Sequence, residues 1–118
     1  MKPFFSVIIP LYNKEAFIEN TLKSVISQTF KDFEVIIVND GSTDDSLAQA
    51  GLINDDRITI ITIKNQGVSY VRNFAVSKAS SNYIAFLDAD DVWLPNHLES
   101  LKHLIKTYPD CGLYASAY

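Results

Sequence analysis

Glu34-Val35-Ile36-Ile37-Val38-Asn39-Asp40-Gly41-Ser42 carries a β-branched apolar run directly into turn-forming polar residues. The run is too short for a helix. Its apolar residues are consecutive rather than alternating, which describes a strand buried on both faces, as in a parallel sheet. Gly41 allows the positive φ that a tight turn after such a strand needs. The same pattern recurs upstream in Phe4-Phe5-Ser6-Val7-Ile8-Ile9-Pro10 and downstream in Ile58-Thr59-Ile60-Ile61-Thr62-Ile63 and Tyr83-Ile84-Ala85-Phe86-Leu87. Four buried strands are predicted.

Helix-period segments separate them. Ile18, Leu22, Val25 and Ile26 make one apolar stripe within residues 15–29, with Asn13 as its N-cap. A short helix follows Ser42, which forms a capping-box pattern with Asp45. A third spans residues 67–79 with Val68, Val71 and Ala75 inward. In the fourth, Leu94, Leu98, Leu101, Ile105 and Tyr108 form the stripe, Pro95 takes the first helical position and Pro109 ends it. A fifth strand is expected over residues 111–117. Strand and helix alternate at intervals of roughly 30 residues, as βαβ units do. The expected architecture is α/β: a Rossmann-like open, mostly parallel sheet with helices on both faces, in one domain over residues 1–118.

Composition narrows the partners. The 118 residues are 47% hydrophobic and 20% charged, with 4 Gly and 4 Pro, which fits a folded domain and excludes disordered and collagen-like classes. A net charge of −4 has the wrong sign for neutralising phosphate backbones, so nucleic acid is not an expected partner. The single cysteine, Cys111, fits a reducing compartment. No apolar run approaches the roughly 20 residues needed to cross a bilayer, and the expected location is cytoplasmic.

In an open α/β sheet, ligands bind beyond the carboxyl ends of the strands. Four loops follow those ends: residues 10–13, 39–42, 64–67 and 88–91. The last is the most informative, because Asp88, Asp90 and Asp91 put three carboxylates within four residues. Two carboxylates about 4 Å apart repel by about 4 kcal/mol at an effective dielectric near 20. Mg2+ or Mn2+, hard cations that take oxygen ligands, would relieve that repulsion and bridge to a phosphate. The competing role is favourable negative charge at the start of the following helix. Asp40 is either a hydrogen-bond acceptor for a nucleobase or ribose, or an Asx-turn residue serving Gly41 and Ser42. Arg72 is either a fork-shaped donor to an anionic ligand or half of a surface ion pair. Asp44 and Asp45 read as first-turn helix charges, and His97 and His103 as solvated. Tyr12 and Trp93 each suit the core or a stacking surface, Tyr12 being the better stacking candidate.

Familiar alternatives are absent. There is no G-x-G-x-x-G after the first strand and no phosphate-binding G-x-x-x-x-G-K-[ST]. An EF-hand beginning at Asp88 would place Glu99 correctly at its twelfth position, but puts Trp93 where the sixth needs Gly.

Phe5-Ser6-Val7-Ile8-Ile9-Pro10-Leu11-Tyr12-Asn13, the run from Glu34 to Asp44, Asn65-x-Gly67 with Arg72-Asn73, and Tyr83 through Asp91 together resemble the ordered motifs of the GT-A glycosyltransferases of family 2. The resemblance covers essentially the whole chain. It implies an inverting transferase that uses a nucleotide-diphosphate sugar, most often a UDP-sugar, with Mn2+ or Mg2+ and an acceptor glycan or glycolipid. It further implies that Pro10 and Tyr12 border the nucleotide, Asp40 and Arg72 contact the base, Asp88 meets the ribose and nucleotide, and Asp90 holds the metal. Asp91 matches the extra acidic residue after the Asp-x-Asp motif. The family's general base lies beyond the Asp-x-Asp strand, with no matching position up to Tyr118, so the chain reads as the donor-binding part of a longer domain and is expected to be inactive alone. Two other readings remain: a non-catalytic nucleotide-sugar-binding module, and a haloacid-dehalogenase-like phosphatase with Asp88 as nucleophile in Asp88-Ala89-Asp90-Asp91-Val92.

Overall fold

The computed structural model describes residues 2–112. Its elements run β1 (Phe5–Leu11), α1 (Ile18–Ile26), β2 (Phe33–Asp40), α2 (Ser46–Ala50), β3 (Ile58–Ile63), α3 (Val68–Lys78), β4 (Tyr83–Phe86) and α4 (His97–Thr107). The four strands form an all-parallel sheet in the order β3-β2-β1-β4. The fifth expected strand lies outside the described residues except for Cys111 and Gly112, which are not in a strand.

The uninterrupted apolar runs are explained by helices on both faces. Phe5, Val7, Ile9 and Leu11 of β1, with Val35 and Ile37 of β2, pack against Ile18, Leu22 and Val25 of α1 and Leu98, Leu101 and Ile105 of α4. The intervening Ile8, Ile36 and Val38 face Val71 and Ala75 of α3. Period-2 alternation therefore sorts each strand's residues between two cores, and both cores are apolar.

Helix ends depart from expectation. Asn13 does not cap α1; it sits at φ 49° in the loop before it, and a turn closed by Phe17 and Ile18 amides on the Lys14 carbonyl delays the helix to Ile18. Asp44, rather than Ser42, accepts the Ser46 amide at the start of α2. α4 opens at His97 after Asn96, not at Pro95, and Leu94 and Tyr108 are exposed, so its buried stripe is shorter than the sequence suggested. Val68 is also exposed. His97 is buried rather than solvated, its ring 4.6 Å from that of Trp93, and desolvation lowers its pKa. Trp93 thereby joins the core.

The amino ends of the strands are held by polar contacts away from the loops singled out above. Glu34 accepts hydrogen bonds from Ser6 Oγ, Ser80 N and Ser80 Oγ. Burial opposes its charge, but those bonds outweigh it and keep its pKa below the usual value. Before β3, Arg57 makes hydrogen bonds to both oxygens of Asp55, and that contact lowers the Asp55 pKa to about 2. A carboxyl depressed in the folded state adds stability above its unfolded pKa and loses it as pH falls through the folded value. Wild type is therefore expected to lose about 1 kcal/mol, after discounting for solvent screening, between pH 4 and 2. Urea unfolding of Asp55→Ala across that window should show a correspondingly shallower acid slope, and an identical slope would refute the assignment.

Candidate donor-binding site

The carboxyl ends of all four strands open on a cleft of about 530 Å3, lined by Pro10, Tyr12, Asp40, Asp88 and Asp90 among the residues singled out from sequence. Lys14, Asn65 and Val68 also line it. Arg72 joins through its guanidinium, 3.4 Å from Asp88. Asp91 completes the acidic group: one carboxylate oxygen from each of Asp88, Asp90 and Asp91 lies within 4.8 Å of the others. Tyr12 keeps its ring exposed, as a stacking surface requires.

Asp40 does not serve its own turn. It is buried at the end of β2, and its two carboxylate oxygens accept the amides of Gln66 and Gly67 at 2.7 and 3.1 Å. The Asx role toward Ser42 belongs one residue earlier, where Asn39 Oδ1 accepts the Ser42 amide. Asp40 thus ties the β2 end to the β3–α3 loop, while a carboxylate has lone pairs beyond the two used here. Gly41 has φ 70°, and the same loop passes so close that a Cβ there would lie 2.9 Å from Asn65 N.

The first and second loops are joined by side chains. Asn13 N donates to Ser42 Oγ and Asn13 Oδ1 accepts the Thr43 amide at 2.8 Å. Lys14 N donates to Ser46 Oγ, Glu15 N to Asp44 Oδ2, and Asp45 N back to Glu15 Oε2. Asp44 therefore holds both the Ser46 amide and the Glu15 amide, and such bonds outweigh desolvation to lower its pKa.

The acidic loop is carried by a polar stripe on α1 and just past its end. Thr21 Oγ1 lies 2.9 Å from the Ala89 carbonyl and 2.6 Å from that of Asp91. Ser24 Oγ accepts the Trp93 amide. Gln28, fully buried, donates to the Leu94 carbonyl at 2.7 Å and accepts the Leu98 amide at 2.9 Å. Leu98 lies in the first turn of α4, so a glutamine 70 residues away satisfies one of that helix's otherwise unpaired donors. Lys14, Thr21 and Gln28 were invisible to sequence reading. Thr21, Ser24 and Gln28 share a helical spacing, but nothing local marks their partners.

Chemically, three exposed carboxylates offer an all-oxygen donor set suited to a hard divalent cation. In water-like surroundings each pair repels by about 1 kcal/mol, and two cations already answer part of that charge: Arg72 at Asp88 and Lys14 at Asp90, both at 3.4 Å. The phosphatase reading fares badly. Its nucleophile motif belongs on the first strand of the domain, whereas Asp88 follows β4, the last described strand and an edge of the sheet.

Comparisons with known proteins agree with this geometry. The family model described as glycosyl transferase family 2 matches residues 6–117. The chain is 40% identical over 116 residues to the Escherichia coli UDP-Glc:alpha-D-GlcNAc-diphosphoundecaprenol beta-1,3-glucosyltransferase WfaP, covering 96% of this chain and 45% of that one. Among solved structures, S. aureus TarS 1-349 in complex with UDP superimposes with a TM-score of 0.83 at 32% identity, covering 92% of this chain and 33% of that one. The Pyrobaculum calidifontis mannosyltransferase PcManGT, in complex with GDP-Man and Mn2+, gives a TM-score of 0.80 at 25% identity, with coverages of 89% and 33%. The chain spans less than half the length of each of these relatives. With its fold, its motifs in order and a family match over nearly its whole length, the chain belongs to glycosyl transferase family 2.

Proposed function

We propose that this chain supplies the donor site of an inverting glycosyltransferase that takes a UDP-sugar with Mn2+ or Mg2+ and transfers the sugar to a hydroxyl of a glycan or glycolipid. The observation that carries the reading is the convergence of Pro10, Tyr12, Asp40, Asp88 and Asp90 on one cleft, with Arg72 and Asp91 at its acidic end. The UDP complex of TarS and the GDP-Man and Mn2+ complex of PcManGT support it by likeness.

Each residue has a role it can fill. Tyr12 and Pro10 offer flat surfaces to a nucleobase. Asp40, held rigid by two loop amides, presents its remaining lone pairs as base acceptors, and Arg72 supplies donors. Asp88, paired with Arg72, offers an acceptor to a ribose hydroxyl. Asp90 and Asp91 would hold the cation, which when bound supplies Lewis-acid stabilisation of the diphosphate leaving group. The general base for the acceptor hydroxyl is not among the residues given these roles. Among the described residues no helix is long and apolar enough to cross a membrane, and the proposed location is the cytoplasm or the cytoplasmic face of a membrane.

Calorimetric titration of UDP in saturating Mn2+ tests the site. Wild type should bind, and Asp90→Ala should weaken binding by about ten-fold, the scale of one lost charge-assisted contact. No binding by wild type, or indifference to Asp90→Ala, would rule the reading out.

A further inference from the structure

We propose that Lys14 is a charge latch on the acidic loop, competing with a divalent cation for Asp90 and, once displaced, serving as a counter-ion for the diphosphate. The inference rests on the donor-site reading above and adds a residue and a direction of coupling to it.

Lys14 lines the cleft, and its Nζ lies 3.4 Å from Asp90 Oδ2. The backbone beneath it is fixed: its amide donates to Ser46 Oγ at 2.7 Å, and its carbonyl accepts the amides of Phe17 and Ile18, both at 3.0 Å. Only the side chain is left to move. The pair is 40% and 45% exposed on its two sides, so breaking it costs little, as is usual for solvated ion pairs. A cation ligated by Asp90 would repel Nζ from the same carboxylate, because the two positive charges would then lie side by side. The flexible stem keeps the released ammonium within the cleft, where phosphate oxygens are its natural partners.

Charge arithmetic gives the sign. Asp88, Asp90 and Asp91 with Lys14 and Arg72 sum to one net negative charge. A divalent cation turns that sum to one net positive charge, which draws an anion. Without Lys14 the group starts at two negative charges and ends neutral, so it should take the cation more readily and the diphosphate less readily. In wild type the cation also frees Lys14 for the diphosphate, so cation and nucleotide promote each other more there than in a variant without the lysine.

The test uses Lys14→Met, which keeps the apolar stem, and Lys14→Arg, which restores the charge. Free Mn2+ is counted by electron paramagnetic resonance to give the affinity for Mn2+ alone, and UDP is titrated calorimetrically in saturating Mn2+. Lys14→Met should bind Mn2+ about two- to five-fold tighter and UDP about ten-fold weaker, with Lys14→Arg near wild type in both. A merely structural lysine would move neither affinity in this paired, opposite manner. If wild type binds UDP with Mn2+ but Lys14→Met leaves either affinity unchanged, or weakens both, the latch is wrong and the donor site stands. If wild type fails to bind, the donor-site reading and the latch fall together.

Discussion

Gln28→Leu should destabilise the fold by about 3 kcal/mol and lower the melting temperature by about 10–15 °C. The side chain is fully buried and similar in size to leucine, so the loss is one of polar satisfaction rather than volume. Gln28 Nε2 donates to the Leu94 carbonyl and Gln28 Oε1 accepts the Leu98 amide. Leucine would leave both groups facing an apolar side chain, and a buried donor or acceptor without a partner costs about 1–3 kcal/mol. Gln28→Glu should lower stability as well, because a carboxylate still accepts from Leu98 but faces the Leu94 carbonyl without a proton to donate and adds a buried charge. Urea unfolding with an unchanged m-value would report these losses as shifts in midpoint. A midpoint for Gln28→Leu within experimental error of wild type would show that Gln28 does not support α4. The damage should reach the site, since Asp88 to Asp91 lie on the loop that the same stripe of α1 supports through Thr21 and Ser24.

Gly41→Ala is the second large effect, at about 2–3 kcal/mol. Left-handed backbone costs a residue with a Cβ about 1–2 kcal/mol, and Gly41 has φ 70°. The added methyl would also meet Asn65 N at 2.9 Å, a backbone atom that cannot swing aside. Asn65 precedes the two amides that hold the Asp40 carboxylate, and its own Nδ2 donates to the Asp40 carbonyl. Relief of the clash therefore disturbs Asp40, and UDP affinity should fall along with stability. Gly67→Ala would be strained by its backbone alone: φ 95° and ψ 158° lie in a region kept for glycine, while a Cβ there would meet nothing within 4 Å. A Gly41→Ala variant that melts with wild type and binds UDP as tightly would remove the close approach from the explanation.

The sheet, its two-faced burial and the four loops at its carboxyl edge were legible because each rests on a local pattern. A run such as Val35 to Val38 states its own burial, and three aspartates after a strand state their own repulsion. What escaped was set by partners distant in sequence. Asn13 looked like a helix cap because asparagine before an apolar stripe usually is one; its side chain turned instead to Thr43, 30 residues on. His97 looked solvated because two histidines six apart share no metal-binding face, yet Trp93 covers it. The turn role offered for Asp40 looked only within its own loop, and the amides it holds lie in the β3–α3 loop. Helix ends shifted for the same reason: the Leu98 amide in the first turn of α4 is answered from Gln28, a partner that the local capping grammar around Pro95 does not contain.

The ties between the first two loops have a consequence for engineering. Residues 13–15 and 42–46 are joined by hydrogen bonds in which each segment both gives and receives. Neither segment is then a free module. A graft of one from a relative brings donors whose acceptors stay behind, whereas exchanging both together moves a closed circuit. Changes on this side of the cleft should be transplanted in loop pairs, with the pair at 13–15 and 42–46 as the smallest portable unit.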